Sequence, residues 1–153
     1  MSLKFMSAHH HERIAKAPSY PHLANIALEI LAAMPGTIGQ VCGPITSGGR
    51  GSFAANIAFF TEAIASLETQ GVTVFSQMPF EDRMQELKVV DGYNWPVLNE
   101  FYGPIFASGL VRRLYFLPGW ENSCGSCWER EQADIFGIAV TDLDENFRPL
   151  VDA

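Results

Sequence analysis

The residues best placed for chemistry stand in Leu117-Pro118-Gly119-Trp120-Glu121-Asn122-Ser123-Cys124-Gly125-Ser126-Cys127-Trp128-Glu129. Ser123, Gly125 and Ser126 open a predicted helix. A helix start offers unpaired backbone N–H groups and the positive end of the helix dipole, so it suits an anion. Gly125 lets a ligand come close to the backbone. Glu129 follows one helical turn later and lies above the same opening. Glu129, Ala133 and Gly137 recur at four-residue steps, so small residues share the Glu129 face and let the helix pack closely on a sheet. The plainer reading makes Glu129 a solvated helix acid beside Glu131 and Asp134.

A second loop, over 43–51, holds Gly43-Pro44-Ile45 and then Arg50 between glycines. Arg50 either completes an anion site or is a surface charge. The loop is not a P-loop, because the Gly-Lys-Ser/Thr ending is absent. Trp120, Trp95 and Phe80 are candidates to stack on a base, with Trp120 the best placed, or are core. Cys124-Gly-Ser-Cys127 follows a strand and opens a helix, the placement of a thiol–disulfide motif. His9, His10 and His11 suggest a metal, but a solvated, mobile start fits them better. No second paired motif supports metal binding by the thiols.

These loops need elements to hold them. A helix is expected over 21–34, with Leu23, Ile26, Ala27, Ile30 and Leu31 as its apolar stripe and Pro35-Gly36 as its stop. A strand over 37–42 precedes the first loop. Ser52 caps a helix running to about Thr69, and Gly71 ends it. A strand follows over 72–75. Residues 78–91 read as loop with a short helical piece, and 94–106 as a helix kinked near Gly103-Pro104. Strands over 111–117 and 138–140 flank the helix over 124–136, which Gly137 closes. The tail after Thr141 is polar and irregular. This alternation predicts an α/β fold, a flavodoxin-like three-layer sandwich with a mostly parallel sheet and right-handed crossovers. Ligands in such folds bind beyond the carboxyl ends of the strands. Residues 1–36 read as a helical extension and 37–153 as the α/β domain.

Taken together, Gly43-Pro44-Ile45, Leu117-Pro118-Gly119-Trp120-Glu121 and Ser123-x-Gly125-x-x-x-Glu129-x-x-x-Ala133-x-x-x-Gly137 resemble the nucleoside 2-deoxyribosyltransferase-like superfamily, over 37–140. That superfamily includes transferases that exchange bases between deoxyribonucleosides and hydrolases that cut the N-glycosidic bond of nucleoside 5′-monophosphates. The resemblance implies that Glu129 attacks the anomeric carbon to form a glycosyl ester. It implies that Ser123 and Gly125 hold a 5′-phosphate, and that Gly43, Pro44 and Ile45 wrap sugar and phosphate. Arg50 stands where a basic residue would complete the phosphate site. It further implies a homo-oligomer whose subunits complete each other's sites, with no cofactor and no metal. The family's aspartate in the preceding helical region is not matched. Asn99-Glu100 stands near its place, so Glu100 is the candidate second acid, with Asp91 and Asp82 in reserve. Glu100 also reads as a solvated helix residue. Ser123 favours a 5′-monophosphate substrate and hydrolysis over base transfer.

Composition bounds the alternatives. The chain has 153 residues, 48% hydrophobic and 18% charged, which excludes disorder and allows a sizeable core. Ten basic against seventeen acidic residues give a net charge of −7, against a nucleic-acid polymer as partner. No apolar run is long enough for a membrane span, and no secretory signal is visible. Three cysteines without such a signal fit a reducing cytoplasm. Two other functions remain open: a non-catalytic nucleotide-binding module, and a thiol–disulfide oxidoreductase built on Cys124 and Cys127.

Overall fold

Serine opens four of the helices. The side chains of Ser7, Ser19, Ser52 and Ser123 accept hydrogen bonds from the backbone N–H three residues on, at 3.1, 3.4, 3.1 and 3.3 Å. Each supplies an acceptor that the first helical turn lacks. The computed structural model describes residues 5–45, 49–89 and 91–150. Its elements are α1 (Ala8–Lys16), α2 (Tyr20–Ala33), β1 (Ile38–Cys42), α3 (Phe53–Thr69), β2 (Thr73–Phe75), α4 (Met78–Leu87), α5 (Trp95–Val97), a π-helical turn (Leu98–Tyr102), α6 (Gly103–Ala107), β3 (Val111–Phe116), a short 3₁₀ turn (Trp120–Asn122), α7 (Cys124–Phe136) and β4 (Ala139–Asp142).

The four strands form one all-parallel sheet in the order β2-β1-β3-β4. Gln40 of β1 pairs with Phe75 on one side and Leu114 on the other. The chain moves outward from β1 to β2 through α3, then returns across β1 to β3, so the order reverses between β1 and β3. That reversal opens a crevice at the carboxyl ends of these two strands. Alternate strand residues serve opposite faces. Val41 and Val74 meet Phe60, Ala63, Ile64 and Leu67 of α3 on one face. Ile38, Cys42, Leu114 and Phe116 meet α2, α6 and Ala133 of α7 on the other. The α/β architecture is that expected from the alternation of elements.

Three details differ from expectation. Residues 8–16 are not a mobile start: they form α1, whose Ile14 is buried in the main core. The rest of the N-terminal helical stretch packs as part of that core, where Leu23, Ile26, Ile30 and Leu31 meet the sheet. Residues 78–87 form a full helix, with Pro79 in the first turn, where a missing N–H is harmless. The kink expected near Gly103-Pro104 is a π turn just before it. Pro104 has no N–H to donate to Glu100, so the ladder widens and the Gly103 N–H reaches the Leu98 carbonyl instead. Among the described residues no helix is long and apolar enough to cross a membrane.

Candidate active site

The crevice has a floor and two walls. Gly43 and Ile45 follow β1, Gln77 follows β2, and Ser123 and Gly125 follow β3. Glu129 of α7 lines the same cleft, and its far wall carries Glu81 and Met84 of α4, Tyr93 and Asn94, and Leu98 and Tyr102 of the π turn. Close backbone approach shapes the floor. A Cβ on Gly43 would stand 2.9 Å from the Leu117 Cβ, and one on Gly125 would stand 2.4 Å from the Tyr93 hydroxyl. Glycine at 125 therefore makes room for the phenol over the start of α7.

Two carboxyl groups face this cleft with little water around them. Glu129 is 6% exposed and Glu81 is 6% exposed. Burial pushes the Glu129 carboxyl up to about 8; the Cys42 thiol hydrogen-bonds it and pulls the other way, while Glu81 adds to the rise. Burial likewise pushes Glu81 up to about 7, opposed by the Tyr102 phenol and assisted by Asp82. The Tyr102 hydroxyl donates to Glu81 Oε1 across a long 3.5 Å. Burial raises the Tyr93 phenol, and the Glu129 and Cys124 charges raise it further. A pair of acids in a cleft with values lifted toward neutrality is an arrangement suited to holding and moving a proton.

Two amide side chains that line the cleft each carry a buried oxygen without a partner. Gln77 gives its Nε2 to the Val41 carbonyl at 2.8 Å, which leaves Oε1 unpaired. Asn94 gives its Nδ2 to the Tyr20 hydroxyl at 2.8 Å, which in turn donates to the Met84 carbonyl at 3.3 Å, and Asn94 Oδ1 stays unpaired. Buried acceptors left this way favour a ligand that brings N–H or O–H groups. Among the described residues, no Lys, Arg or His side chain lines the cleft.

The sequence-predicted residues separate into two groups. Glu129, Gly43, Ile45, Ser123 and Gly125 come together in the cleft. Pro44 is buried beside Gly49 instead. Ser123 caps α7 through its hydroxyl oxygen. Ser126 is fully buried, its hydroxyl without a partner, and lies outside the cleft lining. Glu100 is not the second acid of this cleft: it is exposed and borders a separate hollow beside Pro18 and Ser19. Asp82 and Asp91 are exposed too. Arg50 points away from the cleft. Its guanidinium pairs with Glu145 and lies 3.7 Å from the Phe59 ring centroid. Trp120 packs edge-on against Phe116 at 5.5 Å and under the Arg130 guanidinium at 4.3 Å. Arg130 is held there by a two-pronged pairing with Asp142 at 2.6 and 3.1 Å. Phe80 is core, and Trp95 is exposed beside Tyr93. Residues 46–48 of the first loop lie outside the described residues.

Sequence reasoning missed Glu81, Tyr102, Gln77 and Tyr93. One signal for Glu81 was present: Phe80, Met84 and Leu87 recur at helical spacing and carry their neighbour inward. No group of three or more His, Cys, Asp or Glu side chains suited to a metal ion occurs among the described residues. Comparison of the chain with family models, curated proteins and solved structures finds no match.

Proposed function

We propose that the protein cleaves the N-glycosidic bond of a nucleoside, with Glu129 as nucleophile and Glu81 as proton donor to the leaving base. The observation that carries this reading is the pair of buried carboxyl groups facing one cleft at the carboxyl ends of β1 and β3. The likeness of the Glu129 segment to the nucleoside 2-deoxyribosyltransferase-like superfamily supports the role given to Glu129.

Breaking a C–N bond at an anomeric carbon builds positive charge there and negative charge on the base. One carboxylate must meet the cation and one acid must supply a proton. Between about pH 7 and about pH 8 the pair Glu81 and Glu129 holds one proton in total. The reactive arrangement places that proton on Glu81. Glu129 then forms an ester to the anomeric carbon as the C–N electron pair leaves with the base, which takes the Glu81 proton. Water, deprotonated by Glu81, attacks the same carbon, and Glu129 departs as carboxylate. The base and the free sugar leave, and Glu81 is protonated again. A second base in place of water would give transfer.

The substrate favoured by this cleft is the uncharged nucleoside over its 5′-monophosphate, the reverse of the expectation from Ser123. Two acids and the amide side chains of Gln77 and Asn94 line the cleft, and the Tyr93 phenol covers Gly125. A dianion placed there would meet no balancing side chain among the described residues. Sugar hydroxyls and base N–H groups would satisfy Gln77 and Asn94.

The test is base release from a panel of ribo- and deoxyribonucleosides and their 5′-monophosphates, followed by chromatography, with Glu129→Ala alongside. Release by the wild type and none by the variant supports the reading. Intact mass after rapid quench should show one sugar attached at Glu129. Binding of nucleosides without any release would leave a nucleotide-binding module and remove the enzyme.

A further inference from the structure

We infer that Cys124 and Cys127 form a thiol–disulfide exchange site, separate from the cleft and independent of the glycosidase reading. The two thiols stand in the first turn of α7 on its outer side. There they line a surface hollow with Trp95, Trp128, Glu121 and Glu131. Cys124 is exposed, Cys127 is half-buried, and neither is bonded to another cysteine. This difference in access gives each thiol a distinct part. Cys124 can meet a reagent from solution, whereas Cys127 is held inward, its S–H donated to the Glu121 carbonyl at 3.4 Å.

Helix geometry places residues three apart with Cα atoms about 5 Å from each other, inside the range that a disulfide spans. The first turn is also the easiest part of a helix to adjust. Ser123 takes the Ser126 N–H, which leaves the N–H groups of Cys124 and Gly125 without a helical acceptor, so few backbone bonds resist movement of this turn. Cys42, the third cysteine, is wholly buried and takes no part.

The partner is a small disulfide without net negative charge, since Glu121 and Glu131 border the hollow. The Cys124 thiolate attacks one sulfur of that disulfide, and the other sulfur leaves as thiolate and takes up a proton. Cys127 then gives up its proton and attacks the Cys124 sulfur, and the second small thiol departs. The two protein thiols are oxidised and the small disulfide is reduced to two thiols.

The experiment treats the full-length folded chain with cystamine and follows intact mass. The wild type should lose two hydrogens with no adduct retained, and a small thiol reductant should restore them. Cys127→Ser should instead hold one cysteamine on Cys124, located by peptide mapping, and Cys124→Ser should react far more slowly. A stable adduct on the wild type would overturn the proposal, as would unreacted Cys124 in the folded chain, or disulfide-linked dimers. Far-ultraviolet circular dichroism of Cys127→Ser and Cys127→Ala, run in parallel, identifies any loss that comes from unfolding, and a folded variant that takes no adduct also overturns it.

Discussion

Glu129→Gln is a test in which a stabilised protein should lose its activity. Glutamine matches the shape of the protonated glutamate, so the cleft should accept it with little change below pH 5. The ordinary carboxyl value is 4.5 and burial lifts Glu129 to about 8. For an acid whose folded value is raised, the folded state holds the extra proton. Stability is then intact below the unfolded value and falls as pH rises toward the folded one. The loss runs at about 1.4 kcal/mol per pH unit, so it reaches roughly 3 kcal/mol at pH 7 and roughly 5 kcal/mol above pH 8. Glu81, raised to about 7, behaves in the same way and keeps its own slope in the variant up to that pH. Urea unfolding of both proteins at fixed ionic strength from pH 5 to pH 9 gives the difference directly. The variant should lead the wild type by about 1 kcal/mol or less at pH 5, pull ahead steadily, and gain little further beyond pH 8. A difference that stays constant with pH would mean that the Glu129 carboxyl is in water, and it would refute both the electrostatic account and the nucleophile built on it.

Base release by the wild type should follow a bell-shaped pH profile with its maximum between about 7 and 8, the window of a singly protonated pair. Glu81→Gln should slow release by roughly 10²–10⁴-fold, with most of the rate regained on a substrate whose base departs without protonation. Arg50→Ala should leave base release unchanged in a rate assay and lower stability by about 1 kcal/mol or less, because an exposed ion pair contributes little. Gly43→Ala should lower the unfolding free energy by about 1–3 kcal/mol, since the new methyl meets the fixed Cβ of Leu117 as well as its Cδ1. Ser123→Ala should cost about 1 kcal/mol in urea through the lost cap of α7.

Local patterns carried the reading of the fold, and distant partners limited the reading of the site. Ser52 and Ser123, with the stripes behind them, placed α3 and α7 to the residue, because caps and periodicity act within a few positions. The parallel sheet also followed from the alternation of strands and helices, whereas the order of its strands did not. Arg50 and Trp120 were harder to read. Their positions depend on Glu145, ninety-five residues away from Arg50, and on Arg130 and Asp142, which no loop motif reveals. Glu81 illustrates the same limit from the other side. Pro79, Glu81 and Asp82 read as the polar surface of a loop, yet Phe80 and Met84 draw this turn of α4 into the core and carry one of its acids with them. A buried carboxyl looks no different from a solvated one until the wall across from it is known. Tyr102, on that wall, depends on a helix irregularity that Pro104 signalled only indirectly.

The wide turn at Leu98–Tyr102 makes this stretch tolerant of a one-residue loss in a way a regular helix is not. It accommodates one residue more than an α-helical turn and absorbs that surplus locally. Deleting a single residue there would restore regular winding and leave the segments before and after it in place. The same deletion in the regular turns of α7 would rotate everything beyond it by about 100° around the axis and carry Glu129 out of the cleft. A lineage carrying this fold can therefore shorten the wall at this one turn at far smaller cost than the helix that bears Glu129.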